Sequence, residues 1–326
     1  MNNLILFTLF FSLFAMDKQP YPTVGKIELL DPEMKNIIDP NAKIEVLGEG
    51  MTWAEGPVWV SSGNYLLFSD PRQNTIYKWD EKEGLQVFLK PSGYAGETWY
   101  SDEPGTNGLL INQAGELIAC DHGNRRLSKI SLETKENQAL VDRWEGKRFN
   151  SPNDLWQLPN GDYFFTDPPY GLPGRLKDTI NREIPVNGVY RLKKDGSIKQ
   201  VIADLDRPNG ITGNAAGDKL YVALSDDTKP YIMEYAVKDG EIMSKGRIFV
   251  DFKAQFPNES VRADGIKVDA KGNLFAAAGD GVVLMNASGK PIGRIRSGIR
   301  TANCAFGSDG YLYMTASDKL LRVKLK

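Results

Sequence analysis

Histidine is nearly absent from this chain: one residue, His122, stands with two cysteines, Cys120 and Cys304, among 326 positions. A zinc centre is therefore excluded as the leading expectation, because zinc sites draw on several nitrogen or sulfur ligands. Two thiols cannot staple a chain this long, and they read as buried free cysteines. A basic excess is missing too. With 40 Lys and Arg against 42 Asp and Glu, the net charge is −2, which leaves no footprint for a nucleic-acid partner. No Gly-x-Ser-x-Gly elbow occurs, so the single histidine has no serine nucleophile of that kind to serve. What is present, 41% hydrophobic and 25% charged residues, is the make-up of an ordinary globular domain.

Long apolar runs are lacking as well. Leu4 to Ala15, broken only by Thr8 and Ser12, is too short to span a bilayer but suits the core of a signal peptide. No Lys or Arg precedes it, and Met16 offers an alternative start that would leave the protein cytoplasmic. The reading adopted is export, to the periplasm or beyond, with residues 1–16 as the leader, 17–42 as a surface arm rich in Pro, Asp and Lys, and 43–326 as the body. No membrane span is expected in that body.

The body repeats itself. Glu55-Gly56-Pro57, Asn107-Gly108-Leu109, Asn153-Asp154-Leu155, Asn209-Gly210-Ile211, Asp264-Gly265-Ile266 and Asn303-Cys304-Ala305 each place an oxygen-bearing side chain at the head of a short β-like run. Successive openers lie 52, 46, 56, 55 and 39 residues apart. Each run is followed by a Gly-containing turn and a second strand with a polar end, such as Ser69-Asp70-Pro71 or Asp167-Pro168-Pro169-Tyr170. Repeats of about 40–50 residues holding several strands predict a propeller. The expected fold is all-β: a six-bladed β-propeller of four-stranded blades, 43–326. The last repeat is one strand short, and Lys43 to Leu47 is an orphan strand. Pairing the two closes the ring and removes a sheet edge.

If inner strands start at the mouth of the ring, the openers point into the central channel, and the polar ends, among them His122, Asp167, Tyr170 and Asp226, share that face. Glu55 and Asp264 with the amide oxygens of Asn153 and Asn209 then form an oxygen-only site for a divalent cation, with Ca²⁺ the expected ion. The plain alternative is that Asn and Asp precede Gly because both tolerate turn conformations. Convergence of four such groups on one axis favours the cation.

Glu55-Gly56-Pro57-Val58-Trp59, Asn150-Ser151-Pro152-Asn153-Asp154-Leu155, Thr166 to Leu172, Arg207-Pro208-Asn209-Gly210 and Asp264-Gly265 together resemble the gluconolactonase/regucalcin family. Asp121 to Arg126 is similar to a stretch of the bacterial gluconolactonases. The resemblance runs over residues 43 to 326. It implies a six-bladed propeller that hydrolyses sugar lactones, with a divalent metal on Glu55, Asn153, Asn209 and Asp264. Asp264 is then the carboxylate that orients or deprotonates the attacking water, with His122 as a rival base or a substrate contact. Asn107, Arg148 and Tyr170 are candidate binders of the small-molecule lactone, whereas Trp53, Trp59 and Trp156 are read as packing. Paraoxonase-like and organophosphate-hydrolysing propellers share the metal layout, so aryl or acyl lactones and phosphoesters stay open as substrates. So does a non-catalytic binding propeller.

Overall fold

Short strands of alternating exposure, joined by tight turns, fold back on their neighbours and form small antiparallel meanders. A computed structural model describes residues 20–326, and the leader expected over residues 1–16 lies outside them. In blade 1, Glu55–Val60, Tyr65–Asp70, Thr75–Asp80 and Gly84–Leu89 pair in chain order from the axis outward. The inner strands of blades 2 to 5 are Thr106–Ile111, Leu155–Gln157, Pro208–Gly213 and Ala263–Val268.

Blade 6 is built from both ends of the chain. Thr301–Phe306, Tyr311–Ala316 and Lys319–Lys324 come from the C-terminus, and Ile44–Glu49 completes the sheet. Leu321 faces Val46 and Val323 faces Ile44 across the seam. The closure expected from the orphan strand is present, displaced by a residue or two from Lys43–Leu47. At this seam the Arg322 guanidinium lies 4.2 Å from the Tyr311 ring centroid and bonds Glu45 at 2.7 Å.

From residue 20 onward the arm laces the outer rim. Thr23–Val24 pairs outside Ile44–Glu49 in blade 6, and Lys26–Leu29 adds a strand to Pro291–Arg296 in blade 5. Met34 and Ile38 are fully buried against these two blades, and Lys326 N–H donates to Ile37 O at 2.9 Å.

Apolar clusters fill the gaps between neighbouring blades. Leu47, Tyr313 and Leu320 of blade 6 pack on Leu66, Phe68 and Trp79 of blade 1. Fully burying one such side chain is worth about 1.5–3 kcal/mol, against about 0.5–1.5 kcal/mol net for a hydrogen bond. The greasy seams, rather than bonds between sheets, therefore hold the ring together. Cys120 and Cys304 lie in two different seams, both buried and both free.

Around the axis the inner strands touch one another directly. Gly108 N–H donates to Asn153 O at 2.8 Å, joining blade 2 to blade 3. Gly56, at φ +44°, sits so close to blade 2 that a Cβ would fall 1.9 Å from Asn107 O. The Gly after an opener is thus a requirement of the narrow axis, as well as of the turn.

Candidate active site

The mouth of the channel is shaped by bulges. Strand register slips between Glu55 and Val58, Thr106 and Leu109, Pro208 and Ile211, and Ala263 and Ile266. A bulge leaves one residue out of the ladder and re-aims its side chain. Here it takes Asn107, Asn209 and Asp264 out of the ladder, whereas Glu55 keeps its pairing with Ser69 just ahead of the slip. Asn153 arrives differently: Asn153 N–H donates to Thr166 O at 2.9 Å just before its strand begins.

These five side chains, with Tyr170, line a cavity of about 290 Å³. The structure thereby brings together six of the eight expected site residues. His122 and Arg148 stand outside the lining. His122 is fully buried one layer back, with Nε2 3.5 Å from Asn153 Nδ2 and Nδ1 3.5 Å from Glu103 Oε2. Arg148 belongs to the outer ribbon Arg143–Trp144/Lys147–Arg148 and gives its guanidinium to Asn124 O at 2.9 Å.

The surroundings orient both amides. Asn209 donates its NH₂ to Ser225 Oγ at 2.8 Å, and Asn153 turns its NH₂ toward His122. A planar amide whose nitrogen is held on one side presents its carbonyl oxygen on the other. Glu55 is buried, with Oε2 accepting Gly56 N–H at 3.0 Å. Burial first, then the charge of Asp264, pushes its carboxyl well up. Asp264 is raised by burial to about 7, with Arg300 and Arg262 pulling it down. Its Oδ1 is buried without a hydrogen-bond partner. Two buried carboxylates that resist ionising, one carrying an orphaned oxygen, beside two fixed amide carbonyls make a donor set that a hard divalent cation fits. Tyr170 is pushed up to about 12 by burial and then by Asp264, so its hydroxyl remains a proton donor at neutral pH.

Below this level the channel carries its own positive charge. Lys267 Nζ lies 3.6 Å from Asp154 Oδ2 and 3.4 Å from Asn303 Oδ1. Asp154 and Asn303 are occupied by this ammonium and do not line the cavity. Asp70, another polar strand end, accepts the N–H groups of Thr52 and Trp53. That tether places Trp53 on the cavity wall, where the sequence suggested packing; Trp59 and Trp156 do pack, against Tyr313 and Phe164.

Asp167 is also buried, accepting Asn150 N–H on Oδ2 at 2.8 Å and leaving Oδ1 without a partner. Burial raises its pKa from 3.8 to about 7. The folded state therefore binds a proton that the unfolded chain releases. The cost of ionising it is absent below about pH 4, grows with rising pH, and is complete above about pH 7. Asp167→Asn stays neutral throughout. Between pH 5 and pH 8 its stability relative to the parent should improve by about 2.5 kcal/mol, read from urea midpoints at the two pH values. A difference independent of pH would show that Asp167 is ionised in the fold.

Sequence reasoning missed Glu103, Ser225 and five arginines: Arg72, Arg175, Arg207, Arg262 and Arg300, all on the cavity wall. Glu103 lies outside the repeat units, between blades 1 and 2, and Arg175 is in the insertion Leu172 to Asn187. Repeat symmetry is silent there. A signal did exist for three others: Arg207 and Arg262 stand two residues ahead of Asn209 and Asp264, and Arg300 three ahead of Asn303.

A polar pocket on the axis of a six-bladed ring, built from the repeat openers, defines the class of axial-site propellers. Within that class the pattern described as the SMP-30/Gluconolactonase/LRE-like region matches residues 53–318, and the chain belongs to this family. It is 38% identical over 311 residues to a gluconolactonase of Zymomonas mobilis, spanning 93% of this chain and 87% of the relative. A lactonohydrolase of Aspergillus oryzae is 27% identical over 83% of this chain and 67% of its own length. Among solved structures, a gluconolactonase of Xanthomonas campestris superposes with a TM-score of 0.81 at 27% identity, covering 95% of this chain and 99% of that one.

Proposed function

We propose that this protein hydrolyses sugar lactones and holds a divalent cation, Ca²⁺ being the expected ion, on Glu55, Asn153, Asn209 and Asp264. The observation that carries the reading is the axial cavity, where two buried carboxylates and two oriented amides meet beside the orphaned Asp264 Oδ1. The lactone-hydrolysing names of the similar proteins support the substrate class. The cation, when bound, supplies Lewis-acid polarisation of the lactone carbonyl.

The chain's own groups do the rest. Asp264 takes a proton from the attacking water as the water oxygen bonds to the carbonyl carbon. The bond from that carbon to the ring oxygen then breaks. The ring oxygen leaves as an alcohol after receiving the proton that Asp264 took from the water, and an open hydroxy acid remains. Tyr170, protonated at neutral pH, donates a hydrogen bond to substrate oxygen. The Asn107 side chain, 5% exposed on the cavity wall, is placed to bond a sugar hydroxyl.

Ala in place of Glu55, Asn153, Asn209 or Asp264 should lower the divalent content of purified protein, read by elemental analysis. The two carboxylate variants should lose more than the two amide variants, because each also leaves positive charge uncovered. Equal metal content in all four variants would overturn the ligand set. Loss of lactone hydrolysis on chelation, restored by added Ca²⁺, tests the same reading through activity.

A further inference from the structure

The charge on the cavity wall is lopsided for a site that takes only neutral sugar lactones. Five guanidiniums line it, and the carboxylates not assigned to the cation hold four of them. Glu103 takes Arg175 at 3.2 Å and Arg72 at 3.7 Å, Asp226 takes Arg207 at 2.9 Å, and Asp227 takes Arg262.

Arg300 is left over. Among the described residues it makes no ion pair. Its guanidinium lies 5.0 Å from the centroid of Trp53, on the ring that Arg72 approaches at 5.5 Å. The backbone of Trp53 is in turn pinned by Asp70. A cation stacked on a tethered indole is held in place while all its N–H donors stay available.

Arg262 and Arg300 also face a second hollow, of about 300 Å³, that shares Asp264 with the first. Ser260, Gly279 and Thr301 contribute to its wall. The other acid in this hollow besides Asp264 is Asp280, and it is turned to Arg296, which bonds its Oδ2 at 3.0 Å through Nε and 2.9 Å through Nη2. Two guanidiniums therefore flank a recess that opens directly from the reacting position. Planar guanidinium forks match carboxylate and phosphate oxygens in two-point contacts that a hydroxyl cannot reproduce.

We infer that the recess between Arg262 and Arg300 receives an anionic substituent, so that the preferred substrate is a sugar lactone carrying a negative charge at the end remote from its carbonyl. This rests on the lactone-hydrolase reading and narrows its substrate class. With the lactone carbonyl near Asp264, the tail passes between the two arginines, and Arg300 is its principal partner. A carboxylate and a phosphate make the same contacts, so both belong in the test.

Hydrolysis of glucono-1,5-lactone, of a glucarolactone and of 6-phosphogluconolactone is compared using metal-loaded protein. At least one charged lactone should show a kcat/KM about tenfold or more above the neutral one, the gain expected from a charge-assisted contact. The charged substrate that shows it identifies the tail as carboxylate or phosphate. Raising salt should shrink the preference. In Arg300→Gln the ratio of charged to neutral kcat/KM should fall by about tenfold or more, carried mainly by KM, and Arg300→Lys should keep part of it. A parent ratio near one, with glucono-1,5-lactone hydrolysed well, overturns this inference and leaves the lactonase reading standing. A ratio unchanged by Arg300→Gln also overturns it. Hydrolysis of none of the three overturns the lactonase reading and this inference together.

Discussion

Asp264→Asn should retain some metal yet lose turnover, by a factor on the order of 10² to 10⁴, the range expected for a missing general base. The substitution preserves shape and one oxygen donor, but an amide cannot take a proton from water at neutral pH. The informative partner is His122→Ala. Its ring does not line the cavity but fills the space between Glu103 and Asn153. Losing it frees the Asn153 amide to rotate, so metal affinity should weaken and activity should return at saturating cation. If instead Asp264→Asn stays active at saturating Ca²⁺ while His122→Ala is dead, His122 is the base and Asp264 a ligand only.

Gly56→Ala should damage the fold severely for so small a change. The added methyl would fall 1.9 Å from Asn107 O, on backbone with φ of +44°. Strain alone costs on the order of 1–3 kcal/mol, and here the obstacle is main chain held by the neighbouring blade. A loss of roughly 3 kcal/mol or more follows, lowering Tm by about 5–10 °C. Gly84→Ala is the control: φ is +73° but nothing lies within 4 Å, so only the strain remains. Equal losses for the two variants would show that contact between blades at the axis contributes nothing.

The openers were legible because each repeat restates them, and the bulges that aim Asn107, Asn209 and Asp264 occur where Asn-Gly and Asp-Gly pairs interrupt an apolar run. Closure was legible from one surplus strand and one deficit. Depth was harder to read. His122 ends a second strand on the correct face, yet its N–H bonds Gly105 O at 3.2 Å and its side chain is drawn behind Asn153. Arg148 precedes Asn150 closely in sequence, but its ribbon bends outward, where Glu183 accepts its N–H at 2.8 Å. Glu103 and Arg175 arrive from segments without a repeat partner, and no periodicity reports which way such segments fold.

The pairing of Ile44–Glu49 with Lys319–Lys324 also orders events during synthesis. The first strand of the ring must wait, one edge unpaired, until the last strand leaves the ribosome. The contact joins Glu45 to Arg322 across 277 residues, and long-range pairings of this kind make folding slow. The axial oxygens come from blades 1, 3, 4 and 5, so the cation proposed for them meets its full set of ligands only once these blades stand around one axis. A bound cation then acts as a latch by mass action, favouring the closed ring over every partly assembled chain.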